Sequence, residues 1–170
     1  MEAPNLSHMH GSINIREIES SEIILLEKFL YDAIFISEGM AKPARSITRK
    51  PELAVYIKDF GKSTDYCLVA TKKGIPVGAA WSRIFQENEK GFGFVSSGIP
   101  ELCMSVNQQF RKKGIGTRLL KTLLLHLKKI NYHQVSLSVD KKNYAFRMYR
   151  KMGFEIVNSD KESATMIKTL

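Results

Sequence analysis

Across its 170 residues the chain has no apolar run approaching the roughly 20 residues that a membrane-spanning helix needs. Its first dozen residues, MEAPNLSHMHGS, have neither a basic start nor an apolar centre, which excludes a secretory signal there. Cysteine is scarce: Cys67 and Cys103 are the only two, each within an apolar, strand-like run. That pattern excludes a disulfide framework and points to buried, reduced thiols in a cytoplasmic protein. Internal repeats and low-complexity tracts are absent. What remains is ordinary for a globular chain, with 44% hydrophobic and 25% charged residues, at a length that suits one domain with a real core. Residues 1–12 read as a flexible tail, His8 and His10 included, and residues 13–170 as a single domain with no metal site.

Acid is nearly missing from one segment. Between residues 111 and 151 stand Arg111, Lys112, Lys113, Arg118, Lys121, Lys128, Lys129, Lys141, Lys142, Arg147, Arg150 and Lys151, against Asp140 alone. The whole chain carries a formal +9, so everything outside this segment is slightly acidic. A segment of this kind suits a solvated helix face, a nucleic-acid footprint, or a site for a polyanionic small molecule.

Periodicity sorts the rest. INIREI (13–18) alternates apolar and polar residues and predicts a strand. SSEIILLEKFLYDAIF (20–35) predicts a helix with Ser20 and Ser21 as capping candidates. After a polar connection, PELAVYIKDF (51–60) predicts a short helix with Pro51 in its first turn. DYCLVAT (65–71) and VGAAWSRIF (77–85), joined by KKGIP, read as a hairpin. Residues 86–98 form a Gly-rich loop with a short strand at FGFV, and ELCMSV (101–106) is a further strand. A leucine-rich helix runs from about Gly114 to Ile130. HQVSLSV (133–139) is a strand, NYAFRMYRKM (143–152) a helix stopped by Gly153, and FEIVN with ATMIKT a closing hairpin. This order predicts an α/β fold, a mixed sheet with helices on its faces.

QQFRKKGIGTRLL (108–120) joins a strand to a helix through a basic, Gly-rich loop. The first N–H groups of a helix lack internal partners, and its dipole adds about half a positive charge there. Gly114 and Gly116 let an anion approach the backbone, Arg111, Lys112 and Lys113 add full charges, and Thr117 adds a hydroxyl. Two phosphate-binding patterns fail. FGKSTD has Tyr56 where a nucleotide P-loop needs its first glycine. A dinucleotide fingerprint needs a third glycine where Leu119 stands. A third pattern, [RQ]-x-x-G-x-[GA], is met at every fixed position by RKKGIG.

Here the chain resembles the GNAT superfamily of acyl-CoA-dependent N-acyltransferases. ELCMSVNQQFRKKGIGTRLLKTLLLHL looks like the family's central strand, pyrophosphate loop and following helix. VSLSVDKKNYAFRMYRKMGFEIV looks like its next strand, its Asn-x-x-Ala helix start and its Tyr-x-x-x-Gly-Phe end. CLVATKKGIPVGAAW looks like the preceding hairpin, so the likeness spans roughly residues 65–158 in family order.

The resemblance implies a single-domain, mostly antiparallel twisted sheet of about six or seven strands flanked by about four helices. It implies acetyl-CoA as co-substrate, with its pyrophosphate on residues 111–117, Ile115 included, and its pantetheine arm beside Met104, Ser105 and Val106. Tyr149 matches the family's general acid, and Asn143 a position that either contacts the cofactor or caps a helix. The reaction implied is direct attack of a primary amine, small or peptide-borne, on the thioester in a ternary complex, helped by proximity and a backbone oxyanion donor. Glu101 is the candidate general base, on the strand face of Cys103 and Ser105, opposite Leu102, Met104 and Val106. Glu87 and Glu89 are weaker candidates, and His126 and His133 are expected to be exposed. The acceptor site falls around residues 31–47 and 81–95, where Trp81, Arg83 and Phe85 share a strand face and could line it, core packing being the other reading for Trp81 and Phe85. The slightly acidic remainder of the chain points to a cationic amine, and homodimers are common in such folds. Two other readings stay open. One is an acyl-CoA sensor without catalysis. The other is a nucleic-acid-binding module on the 111–151 segment, for which no reading helix or stacking-aromatic motif is present.

Overall fold

A computed structural model describes residues 12–170; the expected tail, with His8 and His10, lies outside them but for Ser12. The first strand, β1 (Ile13–Glu17), leads into a 3-10 turn over Ser20–Leu25 and then α1 (Leu26–Ala33). The expected helix over 20–35 is thus half 3-10, and its cap is Glu19 rather than Ser20 or Ser21. The reason is Glu22, whose carboxylate accepts from the Glu19 N–H at 3.0 Å and from both Arg16 terminal nitrogens at 2.7 and 2.8 Å. That pairing holds the Glu22 carboxyl down at about 2. A second 3-10 turn (Arg45–Arg49) precedes α2, which covers only Pro51–Ala54 before dissolving into turns.

Strands β2 (Tyr66–Lys72), β3 (Ile75–Arg83) and β4 (Glu101–Val106) follow. Then come α3 (Ile115–Lys129), β5 (Gln134–Asp140), α4 (Tyr144–Lys151) and the hairpin β6 (Glu155–Ser159) with β7 (Ser163–Thr169). The seven strands form one sheet in the order β1-β2-β3-β4-β5-β7-β6. Every pairing is antiparallel except β4 with β5. This is the expected mixed, mostly antiparallel architecture.

Each face of the sheet carries a core. On one side α3 buries Ile115, Leu119, Leu120, Leu123, Leu124 and Leu127 against Leu68, Ala80, Leu102, Val135 and Leu137. Burial of each large apolar side chain stabilises the fold by about 1.5–3 kcal/mol. On the other, Leu26, Phe29 and Leu30 of α1 pack with Tyr56 on Val69, Ala79, Trp81 and Phe85. β4 divides its side chains between the two as strand alternation requires: Leu102 and Met104 face α3, while Cys103 packs with the α1 core. Ser105 points the same way as Cys103, its hydroxyl donating to the Phe29 carbonyl at 2.7 Å.

The expected strand at FGFV does not form; among residues 86–98 only an isolated bridge, Gln86 with Glu89, is present. Its amides are engaged elsewhere. The Phe92 N–H donates to the Tyr56 hydroxyl at 2.7 Å and the Gly93 N–H to Glu101 Oε1 at 2.9 Å. A strand ladder would have to give up both bonds.

Candidate active site

The parallel contact between β4 and β5 is brief. Glu101 opposite Ser136 is its single registered pair, extended by the Ser136 N–H donating to the Pro100 carbonyl at 2.9 Å. Beyond that point the strands diverge, and the β5-facing edge of β4 from Leu102 to Val106 has no ladder partner. The wedge opens into a cavity of about 660 Å³. One wall is the α1 end with residues 31–36; the other is the 111–117 loop, the end of β5 and α4.

The loop is held by its own residues. Arg111 donates from Nε to the Val106 carbonyl at 2.8 Å and from a terminal nitrogen to the Asp32 carbonyl at 3.0 Å. Its guanidinium therefore ties the loop to β4 and α1 as well as adding charge. Lys112 and Gly114 adopt left-handed backbone, φ 57° and 78°, which turns the chain into the N-terminus of α3. At Gly116 a Cβ would come within 3.2 Å of Met104 Cε, so glycine keeps the loop tight against β4. The Thr117 hydroxyl donates to Met148 Sδ at 3.6 Å. Asn143 caps α4, its Oδ1 accepting from the Ala145 N–H at 2.9 Å, and it also lines the cavity.

Of the residues singled out in the sequence, Glu101, Met104, Ser105, Val106, Arg111, Lys112, Gly114, Gly116, Thr117, Asn143 and Tyr149 all line this cavity. Two do not. The Ile115 side chain is 3% exposed in the core beneath α3, leaving only its backbone amide to face an anion. Lys113 is exposed, with its ammonium over the Phe110 ring at 5.6 Å.

Glu101, at the start of β4, is buried. It is 3% exposed. Its Oε1 accepts from the Tyr56 hydroxyl and the Gly93 N–H, while Oε2 has no partner among the described residues. Burial pushes the carboxyl up to about 7, against the opposing pull of its two donors. Across the cavity Tyr149 packs edge-on against Phe154 at 5.5 Å, and burial raises its phenol well above the ordinary range. Burial also raises the half-buried Cys103 thiol, which stays protonated at neutral pH and is a poor nucleophile.

Trp81, Arg83 and Phe85 do not line the cavity. Trp81 is fully buried, with Nε1 donating to the Tyr56 carbonyl at 3.1 Å. Arg83 is enclosed by a 3.0 Å ion pair to Asp65 and bonds to the Val55 and Lys58 carbonyls. Phe85 packs edge-on to Tyr56. From the expected 81–95 segment only Phe92 reaches the cavity. Glu87 is exposed and pairs with Lys90 at 2.6 Å, and Glu89 is exposed. His133 is exposed as expected, but His126 is half-buried, stacked on Tyr66 at 3.4 Å. Tyr56 was missed. It sits 45 residues from Glu101 in a segment whose pattern reports only an apolar helix face, so no local signal marks it.

Comparison with known proteins agrees with this fold. The family described as the acetyltransferase (GNAT) domain matches residues 35–168. No curated protein matches the chain. Among solved structures, the PaiA N-acetyltransferase of Thermoplasma acidophilum, in complex with coenzyme A, is 20% identical with TM-score 0.67, over 94% of this chain and 99% of that one. The ribosomal-protein-alanine N-acetyltransferase of Brucella melitensis is 20% identical with TM-score 0.64, over 92% and 99%. The ribosomal-protein-S18-alanine N-acetyltransferase of Escherichia coli is 14% identical with TM-score 0.64, over 93% and 94%. With the family model matched over residues 35–168, most of this chain, the chain belongs to the GNAT acetyltransferases and is an acyltransferase.

Proposed function

We propose that the protein moves an acetyl group from acetyl-CoA to a primary amine, by direct attack in a ternary complex. One observation carries the reading. A single cleft joins an unpaired strand edge, a cationic helix N-terminus, a buried carboxyl with a pKa of about 7 and a phenol held protonated. The residues fit coenzyme A. The amides of 114–117 and the charges of Arg111 and Lys112 suit its pyrophosphate. The open β4 edge offers backbone groups to the amides of its pantetheine arm. The bound acyl-CoA supplies the thioester, and the protein does the rest. Glu101 removes a proton from the incoming ammonium through a bridging water, the free amine attacks the thioester carbonyl, and as the C–S bond breaks Tyr149 gives its proton to the departing thiolate and is reprotonated by the second proton that the new amide nitrogen loses. The protonated Cys103 argues against an acyl-enzyme. The free Cys67 and Cys103 fit a reducing compartment, and we place the enzyme in the cytoplasm.

The test is calorimetric titration of acetyl-CoA at near-physiological salt, then an amine screen that follows thiol release. Saturable one-to-one binding with amine-dependent turnover is expected, rising with pH to a plateau above about 7. Binding without turnover on any amine would leave an acyl-CoA sensor. No binding would remove both readings and turn attention to nucleic acid on the 111–151 face.

A further inference from the structure

The Gly-rich loop over 91–94 is fastened to the floor of the cleft at two points, one on Tyr56 and one on Glu101, which Tyr56 also bonds. The Tyr56 hydroxyl donates to Glu101 Oε1 and accepts from the Phe92 N–H at 2.7 Å. The next amide along, Gly93, donates to the same Oε1 at 2.9 Å. Glycine is required at both turns of this loop. A Cβ at Gly91 would fall 2.3 Å from Glu101 Oε2, and one at Gly93 would fall 2.4 Å from the Leu137 backbone of β5. The loop thus covers the carboxyl, and its Gly93 amide together with the Tyr56 hydroxyl saturates one of the two oxygens. Oε2 is left buried with no partner among the described residues. An unpaired buried carboxyl oxygen is costly, and a role in the chemistry is one physical reason for keeping it.

We infer that Tyr56 is a positioning residue for the transfer: it locks the carboxyl and the 91–94 loop into one unit and leaves Oε2 as the oxygen that takes the proton. This inference rests on the reading of Glu101 as the base. Tyr56 is itself held rigidly. Its ring lies edge-on to Phe85 at 5.3 Å and stacks on Phe92 at 6.4 Å, and its carbonyl accepts from Trp81 Nε1. The ring is therefore placed without help from the hydroxyl, so phenylalanine can stand in for it and remove only the two hydrogen bonds.

The other groups around Glu101 leave this one adjustable. Cys103, on the same strand, is a protonated thiol. Arg83, its register partner on β3, is committed to Asp65 and two carbonyls. Ser136, its partner on β5, is uncharged. Among the described residues only Tyr56 and the Gly93 amide donate to the carboxyl. Both favour the charged form, so loss of the Tyr56 donor moves the proton affinity upward.

The experiment is Tyr56→Phe, read in two ways. The acid limb of kcat/KM should move to higher pH by about half a unit or more, with acetyl-CoA affinity unchanged. Independently of activity, an infrared titration of the protonated carboxyl band, assigned by its absence in Glu101→Gln, should show the same upward shift. Thermal melting confirms that each variant is folded. A carboxyl that titrates in Tyr56→Phe where it does in the parent, or lower, beside an inactive Glu101→Gln, would overturn this inference alone. Full activity in Glu101→Gln would overturn the base reading beneath it.

Discussion

Two oxygens that line one cleft, a carboxyl and a phenol, are both raised in pKa by burial and still differ in protonation at neutral pH. Glu101 has two donors and a pKa near neutrality, so it exchanges a proton at physiological pH. Tyr149 has only a raised pKa and stays a donor throughout that range. Burial raises both groups, so the carboxyl comes near neutrality while the phenol keeps its proton, and the two suit opposite proton transfers at a single pH. Tyr149→Phe should therefore lower turnover by roughly tenfold to a hundredfold while leaving acetyl-CoA affinity alone. The measurement is single-turnover kinetics, with the chemical step limiting. A rate equal to the parent's would return Tyr149 to a packing role against Phe154.

At the level of elements, the junction of β4, the loop and α3 does most of the positioning. Gly114 supplies the left-handed turn at the helix start, and nothing lies within 4 Å of where its Cβ would be. Space alone would admit a side chain there; backbone strain and charge would not. Gly114→Glu should lose acyl-CoA binding in calorimetry. It brings about 1–2 kcal/mol of left-handed strain and sets a carboxylate where an anion is to sit. Retained affinity would mean that the pyrophosphate lies elsewhere. The β4–β5 divergence is the companion feature, since an intact ladder would leave that strand edge with no groups to offer.

For the molecule as a whole, the cleft runs between the two cores that sandwich the sheet, and its two halves differ in character. The α3–α4 half faces the basic segment. The α1 half presents Leu30, Ile34, Phe35, Leu53 and Phe92, with Asp32 already paired to Lys28 at 2.6 Å and Glu101 at the floor. A second ammonium on the acceptor would meet apolar wall. Arylalkyl and alkyl monoamines should accordingly exceed polyamines in kcat/KM by about tenfold or more, measured by thiol release under saturating acetyl-CoA. A preference for polyamines would show that the acidic balance outside residues 111–151 governs acceptor choice after all.

Sequence and fold divided the work along a physical line. The β4–loop–α3 unit, the Asn143 cap, the Gly153 stop and the leucine stripe of α3 were legible because each depends on hydrogen bonds or periodicity within a few residues. The alternation that set Glu101 with Cys103 and Ser105 was equally local. What a residue's surroundings do to it was not. Trp81, Arg83 and Phe85 went to the core because α1 and the turns after α2 cover that strand face. The FGFV segment gave up strand pairing because its amides found Tyr56 and Glu101. The carboxyl of Glu101 acquired its proton affinity from burial under a loop and from a tyrosine 45 residues away. Desolvation depends on everything that packs around a group, and no pattern of neighbours along the chain encodes it.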